Sequence, residues 1–328
     1  MRLLSHKFAK LLGSAFCVLV VSHALVVGQS STETDALAAI KLATNPTTKL
    51  AAAEDFVARF PNSNARLSVA ETVAGEILKI SNGSVALALL DRARAVFTSE
   101  QEKEILKPVA LEAYAIGNRL DDAFALAAEM LAKNPDGINV LVRMTRAGAE
   151  ETRKKNRKYA DVSLQYGLKA IALIEAGKKP AGVDAETWAL QRNNIAELYQ
   201  QTAILYLASG NTLEAKSRLT KAATLSPHDP SNFALLARVL NADYLSQKDA
   251  YEAIPEGKAR QDAQKNLQAL LDSMIETYAR AAGLATGRAE YQTLLQQVIP
   301  DLTAYYKYRH NQSIQGLQQL INRYRVRP

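Results

Sequence analysis

The sequence predicts an all-α protein, an α-solenoid of helix-turn-helix repeats with a C-terminal helical cap. Small and aromatic residues recur at helical spacing between residues 196 and 229, a stretch of 34 residues. Apolar residues make up 48% of the chain and aromatic residues only 6%, the balance of helices packed through Ala and Leu. No stretch of alternating β-branched residues appears, so we expect little or no sheet.

The 196–229 stretch predicts two helices joined by a tight turn. Tyr199, Ala203 and Tyr206 lie three and four residues apart, so they share one face of a first helix. Gly210 permits the turn, and Pro227 ends the second helix because it cannot donate the next backbone hydrogen bond. The packing face of the second helix consists of Ala215, Leu219 and Ala222.

Neighbouring repeats keep this register. A shift of 34 residues leads to a similar face formed by Phe233, Leu236, Ala237 and Leu240, although Pro255 interrupts the second helix that should follow. Upstream, the same separations recur at Tyr114, Ala123 and Pro135. Weaker helix pairs are predicted over residues 70–96, with a turn at 81–84, and over 35–60, broken at Asn45-Pro46.

These residues resemble the tetratricopeptide repeat, a helical hairpin with an aromatic, a small residue, a second aromatic, then Ala, a bulky apolar residue and Pro. The resemblance covers residues 35–256 and is specific over 104–245. Thr202 departs from the pattern, since Leu is expected there. An irregular α-helical bundle is the alternative, because small residues meet such a pattern easily in an alanine-rich chain.

Membership of that family would imply a groove lined by the first helices, with a peptide or a helix of a partner protein as the ligand. The chain lacks the cluster of Lys, Arg and Asn with which chaperone-binding relatives hold a terminal carboxylate. The implied groove positions lie between the packing residues of two consecutive repeats: Glu197, Gln200, Ile204, Leu207, Ala234, Arg238 and Asn241.

The first 28 residues predict a signal peptide. Arg2, Lys7 and Lys10 precede an apolar run over 11–27, and Gly28 provides a small residue before Gln29. We therefore expect a periplasmic or secreted protein, and no membrane span in the mature chain. A retained anchor is the alternative, although the run is short for a bilayer. Cys17, the only cysteine, would leave with the leader, so the mature chain would contain no thiol.

After the leader, we expect a helical repeat domain over 29–256 and a capping segment over 257–328. The capping segment should contain helices over 266–282, 289–308 and 313–324, with Pro300 kinking or restarting the second. A solenoid needs such an element to cover the apolar face of its last repeat. The segment 176–182 is the best candidate for a hinge, and Trp188 should lie in one helix over 184–208 as a packing residue or, if exposed, as a docking anchor.

Positive charge is concentrated in two places. The chain carries +7, which falls to about +4 without the leader's three basic residues. One cluster occupies 153–158, and the other is the C-terminal tail, where tyrosines alternate with Lys307, Arg309, Arg323, Arg325 and Arg327. The tail predicts contact with an anionic envelope lipid or polymer, or else a solvated face over core tyrosines. Nucleic acid is not expected as the partner of an exported chain.

No catalytic, metal or cofactor motif is present. Phosphate-binding loops, serine elbows and zinc-binding helices are all missing, and the mature chain keeps only His228 and His310. We therefore expect a non-catalytic adaptor or scaffold that takes no cofactor. An all-helical enzyme that cleaves glycans with Asp and Glu is the remaining alternative.

Overall fold

The computed structural model describes residues 32–177, 179–180 and 182–326. Within these ranges the chain forms fifteen α-helices and one short 3-10 turn, and no strand, which confirms the all-α prediction. The first helices are α1 (Glu33–Leu42), α2 (Pro46–Arg59), α3 (Arg66–Ile77), α4 (Gly83–Val96), α5 (Glu100–Ile116), α6 (Leu120–Lys133), α7 (Ile138–Arg153) and α8 (Ala160–Glu175). They are followed by α9 (Ala185–Asn193), α10 (Ile195–Ala208), α11 (Thr212–Leu225), α12 (Pro230–Glu252), α13 (Lys258–Ala285), α14 (Gln292–Arg309) and α15 (Leu317–Asn322).

The chain divides into two compact units, the first of which ends at Ser63. In its described part, α1 and α2 pack on each other as the predicted helix pair. Thr32 begins α1, and its hydroxyl accepts a hydrogen bond from the backbone amide of Asp35 at 3.2 Å. Asn45 begins α2 in the same way, with Pro46 in the first turn, where a missing amide hydrogen costs nothing.

The second unit, residues 64–328, is an array of helix pairs. The pairs are α5 with α6, α7 with α8, α10 with α11, and α12 with α13, and helices also pack on the next pair along the chain. Contacts between neighbours in sequence are the mark of a repeat array. This pattern confirms the solenoid-like class within the unit.

The 34-residue stretch forms the pair α10–α11 as predicted. Ala203, Ala215, Leu219 and Ala222 are fully buried, so the two helices approach closely through small side chains. Gly210 joins them with a φ of +79°, a left-handed conformation that glycine adopts without steric cost. The aromatic and small residues therefore form a helix-helix contact.

Small residues also explain why Thr202 departs from the repeat pattern. Gly167 on α8 lies so close that an added Cβ would approach Thr202 Cγ2 to 2.6 Å and Thr145 Cγ2 to 2.8 Å. Thr202 is fully buried, and its hydroxyl donates to the carbonyl of Tyr199 at 3.0 Å. A leucine would not fit this junction of α7, α8 and α10.

The predicted single helix over 184–208 is two helices, because the chain turns at Asn194 between α9 and α10. Asn is a weak helix former, and Asn193 and Asn194 are adjacent. Trp188 on α9 is buried and packs with Ile138, Ile171 and Ile174, so it is a core residue and not an exposed anchor.

The C-terminal helices differ in length from those predicted. Helix α13 begins at Lys258 and runs along α12 as the second helix of a pair, so this part of the capping segment belongs to the array. Helix α14 begins at Gln292 and continues through Pro300 without a restart, and α15 is limited to Leu317–Asn322. Tyr306 is buried and Tyr305 packs against the same core, as the prediction of core tyrosines requires, but Tyr308 is exposed.

The signal-peptide prediction, including Cys17, lies outside the described residues. Among the described helices, none combines the length and the apolar character that a bilayer span requires.

Candidate functional site

Helices α5, α7, α10 and α12 are the first helices of consecutive pairs, and we call the surface that they present the first-helix face. Three cavities are lined by residues of these helices, and α7 contributes residues to all of them. Binding sites in helical repeat arrays are built on continuous surfaces of this kind, since each repeat adds one helix to them. The first-helix face is therefore the candidate site.

The first cavity, which we call the apolar cavity, lies between α5, α6 and α7. It has a volume of about 430 Å³ and is lined mostly by apolar side chains, among them Leu78, Pro108 and Val140. Leu78 is 45% exposed, so its side chain leaves apolar surface open to a ligand. Arg143 and Glu112 form an ion pair at its edge.

The second cavity, the amide cleft, lies between α7, α9 and α10 and has a volume of about 220 Å³. Arg146 donates to both carboxylate oxygens of Glu197, at 3.0 and 3.2 Å, and Gln201 Nε2 donates to the same carboxylate at 2.8 Å. Gln201 Oε1 is buried without a hydrogen-bond partner. The side-chain amides of Asn139, Gln191 and Asn194 complete the lining.

The third cavity, the arginine cavity, has a volume of about 430 Å³ and lies between α10, α12, α14 and the end of α7. Arg153 Nη2 is 3.5 Å from Gln200 Oε1, the outer limit of a hydrogen bond, and Gln200 in turn donates to Asn232 at 2.8 Å. Arg238 Nη2 donates to Gln297 Oε1 at 2.6 Å. Each guanidinium thus meets an amide oxygen, and most of its N–H groups remain available.

Neither of these arginines has a carboxylate partner within 4 Å among the described residues. Arg153 is exposed at the surface, but partial desolvation of its guanidinium lowers its pKa from the ordinary value, opposed by the more distant carboxylates of Glu150 and Glu197. An arginine side chain nevertheless stays protonated at neutral pH. Glu290 also lines the arginine cavity, but its carboxylate accepts a hydrogen bond from Arg288 Nε at 3.1 Å. The cavity therefore holds two arginines that no carboxylate of the described residues pairs directly.

The start of α12 determines which of its side chains face the arginine cavity. Asp229 begins α12 by accepting a hydrogen bond from the backbone amide of Ser231 at 2.9 Å, and Pro230 occupies the first turn. Ser231, Ala234 and Arg238 then follow at intervals of three and four residues, so all three face the same cavity.

The predicted groove residues divide into two groups. Gln200, Ala234 and Arg238 meet at the arginine cavity, and Glu197 lies in the amide cleft. Ile204 is buried in the helix array, and Leu207 packs with Ala203 and Ala215. Asn241 accepts a hydrogen bond from the hydroxyl of Tyr305 at 2.5 Å, so it is engaged in packing against α14.

Four of the seven predicted groove residues therefore line the cavities, and the other three, which come later on the two helices, are buried or pack against neighbouring helices. Positions between packing residues face outward in an ordinary repeat, but here α14 packs on α12 at Asn241. Sequence reasoning also missed Arg153, which it assigned to the 153–158 cluster. No signal links Arg153 to Arg238, because the insertion between α8 and α10 breaks the 34-residue register.

Four residues of the two basic clusters are paired with local acids. Arg309 donates to both oxygens of Asp272, at 2.7 and 3.2 Å, and Arg323 lies 3.6 Å from Glu276. Lys307 and Arg325 are exposed, and Arg327 lies outside the described residues. In the other cluster, Lys154 pairs with Glu151 and Lys158 with Asp121.

The described residues contain no group of three or more metal-ligating side chains. Of the two histidines that the sequence singled out, His310 packs against the ring of Tyr306 with a centroid distance of 4.2 Å, and His228 lies in the exposed turn before α12.

No protein-family model matches the chain, and no curated protein matches it in sequence. The first-helix face is therefore interpreted from its own geometry.

Proposed function

We propose that this protein is a non-catalytic adaptor that binds a segment of another protein on its first-helix face. The observation that carries the proposal is the arginine cavity, where Arg153 and Arg238 present N–H groups that no carboxylate of the described chain takes up. Unpaired arginines in a cavity next to apolar surface are typical of sites that recognise peptides. The tetratricopeptide-like spacing over 104–245 supports the same function, since such repeats commonly bind peptides.

We also propose that the protein acts in the cell envelope, as a periplasmic or secreted protein. The support is the sequence of residues 1–28, a basic start followed by an apolar run and a small residue. Intact-mass measurement of the protein purified from its native host tests this point. A mature chain that begins at Gln29 supports export, and a chain that retains residues 1–28 contradicts the cleavage.

Charge reversal at the arginine cavity tests the adaptor function. A C-terminally tagged chain would be crosslinked in the native host and its partners identified by mass spectrometry, beside a variant with Arg153→Glu and Arg238→Glu. The matched control carries Arg157→Glu and Lys221→Glu, two exposed positions outside the three cavities.

We expect one or a few envelope proteins with the wild type and the control, and their loss with the cavity variant. The same set of proteins from all three chains, or none from any, would contradict binding at this face.

A second candidate function is contact with an anionic lipid or polymer of the envelope. The exposed Lys307 and Arg325 favour it, whereas the pairing of Arg309 with Asp272 and of Arg323 with Glu276 reduces the charge that the tail presents. Sedimentation with anionic vesicles at increasing salt tests it, because such binding weakens as salt screens the charges. Binding that is insensitive to salt and to Lys307→Glu with Arg325→Glu would exclude this function.

A further inference from the structure

The two larger cavities on the first-helix face lie at opposite ends of one helix. Asn139, in the first turn of α7, lines the apolar cavity, and Arg153, the last residue of α7, lines the arginine cavity. A helix rises 1.5 Å per residue and turns once in 3.6 residues, so these two positions lie on the same side of α7 and are about 20 Å apart along its axis. A single ligand that lies along α7 would reach both cavities.

The two ends select different chemistry. Leu78, Pro108 and Val140 offer a mostly apolar surface, which gains free energy when an apolar side chain displaces water from it. Arg153 and Arg238 offer guanidinium N–H groups, which form their strongest hydrogen bonds with carboxylates. The face is therefore polarised, with an apolar end and a cationic end.

Between the two ends, the amide cleft offers hydrogen-bonding groups of both kinds. Asn139, Gln191 and Asn194 each carry an amide that can donate and accept. An extended peptide has a free backbone N–H and C=O at almost every residue, and these can bond to the amides of the cleft. In a helical peptide most of these N–H and C=O groups are already hydrogen-bonded to each other. The middle of the face therefore favours an extended segment over a helical one.

We propose that the segment bound by this protein is an extended acidic peptide, with an apolar residue about six positions away from an acidic one. The spacing follows from the length of α7, because an extended chain rises about 3.3 Å per residue and covers about 20 Å in six residues. The apolar residue enters the apolar cavity, and the acidic residue binds Arg153 and Arg238. This inference rests on the proposed adaptor function and specifies its ligand.

Selection from a displayed library of random peptides tests the inference. A library of about sixteen residues covers both an extended ligand and a helical one, since a helix needs about thirteen residues to span the same distance. The targets are the mature chain, a variant with Arg153→Gln and Arg238→Gln, a variant with Leu78→Glu, and a control with Arg157→Gln and Lys221→Gln. The control removes the same number of exposed positive charges outside the three cavities.

We expect the mature chain and the control to select acidic residues five to seven positions from an apolar residue. The arginine variant should keep the apolar preference and lose the acidic one, and Leu78→Glu should do the reverse. A selected peptide should bind the arginine variant at least about tenfold more weakly than the wild type, because charge-assisted hydrogen bonds are lost. Its affinity for the control should change less than about twofold.

The selection distinguishes failure of the adaptor function from failure of the inference about its ligand. Selection of no peptide by any target would remove the adaptor function together with this inference. Enriched peptides without acidic residues, or an acidic preference that survives in the arginine variant, would overturn the inference and leave peptide binding in place. A preferred spacing near thirteen would show a helical ligand and overturn the extended one.

Discussion

Glycines set how closely helices approach in the array. A Cβ added to Gly148 on α7 would lie 1.9 Å from the hydroxyl oxygen of Ser163 on α8. Ser163 is itself fully buried and donates to the carbonyl of Met144 at 3.0 Å, so it cannot move away without losing this bond. The contact between α7 and α8 therefore requires a residue without a side chain at position 148, and α7 carries residues of all three cavities.

Replacing Gly148 with Ala should lower the free energy of unfolding by about 1–3 kcal/mol, the usual cost of overpacking a buried contact. Urea unfolding followed by circular dichroism measures it. Gly75→Ala is the matched control: it lies within α3 with no atom near the added Cβ, and should be neutral or stabilising by up to about 1 kcal/mol. Equal effects of the two substitutions would contradict the close approach.

The buried ion pair of Glu102 with Arg66 should make the stability of the protein depend on pH. Its side chain is 1% exposed and accepts hydrogen bonds from Arg66 Nε at 2.8 Å and Nη2 at 3.1 Å. Burial raises the pKa of Glu102, but the hydrogen bonds from Arg66 and Ser99 outweigh it, so the pKa lies below its ordinary value. The ionised form is therefore favoured in the folded protein.

We expect Glu102→Gln to lower the free energy of unfolding by about 3 kcal/mol at pH 7, because it leaves Arg66 beside an uncharged partner in a buried site. A lowered pKa stabilises the fold above the ordinary pKa of about 4.5 and loses this effect as pH falls through the lowered value. The difference between wild type and variant should therefore shrink below about pH 4.5.

Urea unfolding of both chains from pH 7 to pH 3 measures this difference. Glu100→Gln, on the same helix but fully exposed, is the control and should change little. A difference that stays constant over the whole pH range would contradict the ionised pair.

The sequence predicts a helix pair correctly where the two helices pack through residues of the same repeat. The aromatic and small residues of 196–229 predicted α10 and α11, because a hairpin's contacts lie within its own 34 residues. The break at Asn194 was not predictable, since it depends on Trp188 packing among Ile138, Ile171 and Ile174, which are distant in sequence. For the same reason Asn241 could not be recognised as a packing residue before α14 was placed beside it.

The C-terminal helix α15 depends on its packing against α13. It has six residues, too few to be stable alone, and it packs on α13 at Gly283. A Cβ at Gly283 would lie 2.4 Å from the carbonyl oxygen of Ile321 and 2.7 Å from Cβ of Tyr324. Both contacts involve atoms that a change of rotamer cannot move.

Gly283→Ala should therefore release α15 while the earlier pairs stay folded. Amide hydrogen exchange over residues 317–324 should become at least about tenfold faster, with exchange in α5 to α8 unchanged. Gly75→Ala again serves as the control. Unchanged exchange in α15 would show that α13 and α15 tolerate a side chain at their contact.

At the scale of the whole molecule, the distribution of charge separates one surface from the rest. Acids lie beside Arg309, Arg323, Lys154 and Lys158, so the charges of these four residues of the basic clusters are balanced locally. The arginine cavity is different, because its two guanidinium groups meet only amide oxygens. The sequence predicted Arg238 at such a surface, but the meeting of Arg153 with it required the packing of α7, α10 and α12.

Photo-crosslinking from defined positions tests most directly whether this surface binds a partner. A photoreactive residue would be placed at Asn139 or Gln297, exposed positions on the cavities, and at Lys221 or Lys265, exposed positions on the second helices α11 and α13. After irradiation in the native host, we predict that the same protein is crosslinked from Asn139 and from Gln297, and not from Lys221 or Lys265. Crosslinks that arise only from Lys221 and Lys265, or equally from all four positions, would contradict binding at the first-helix face.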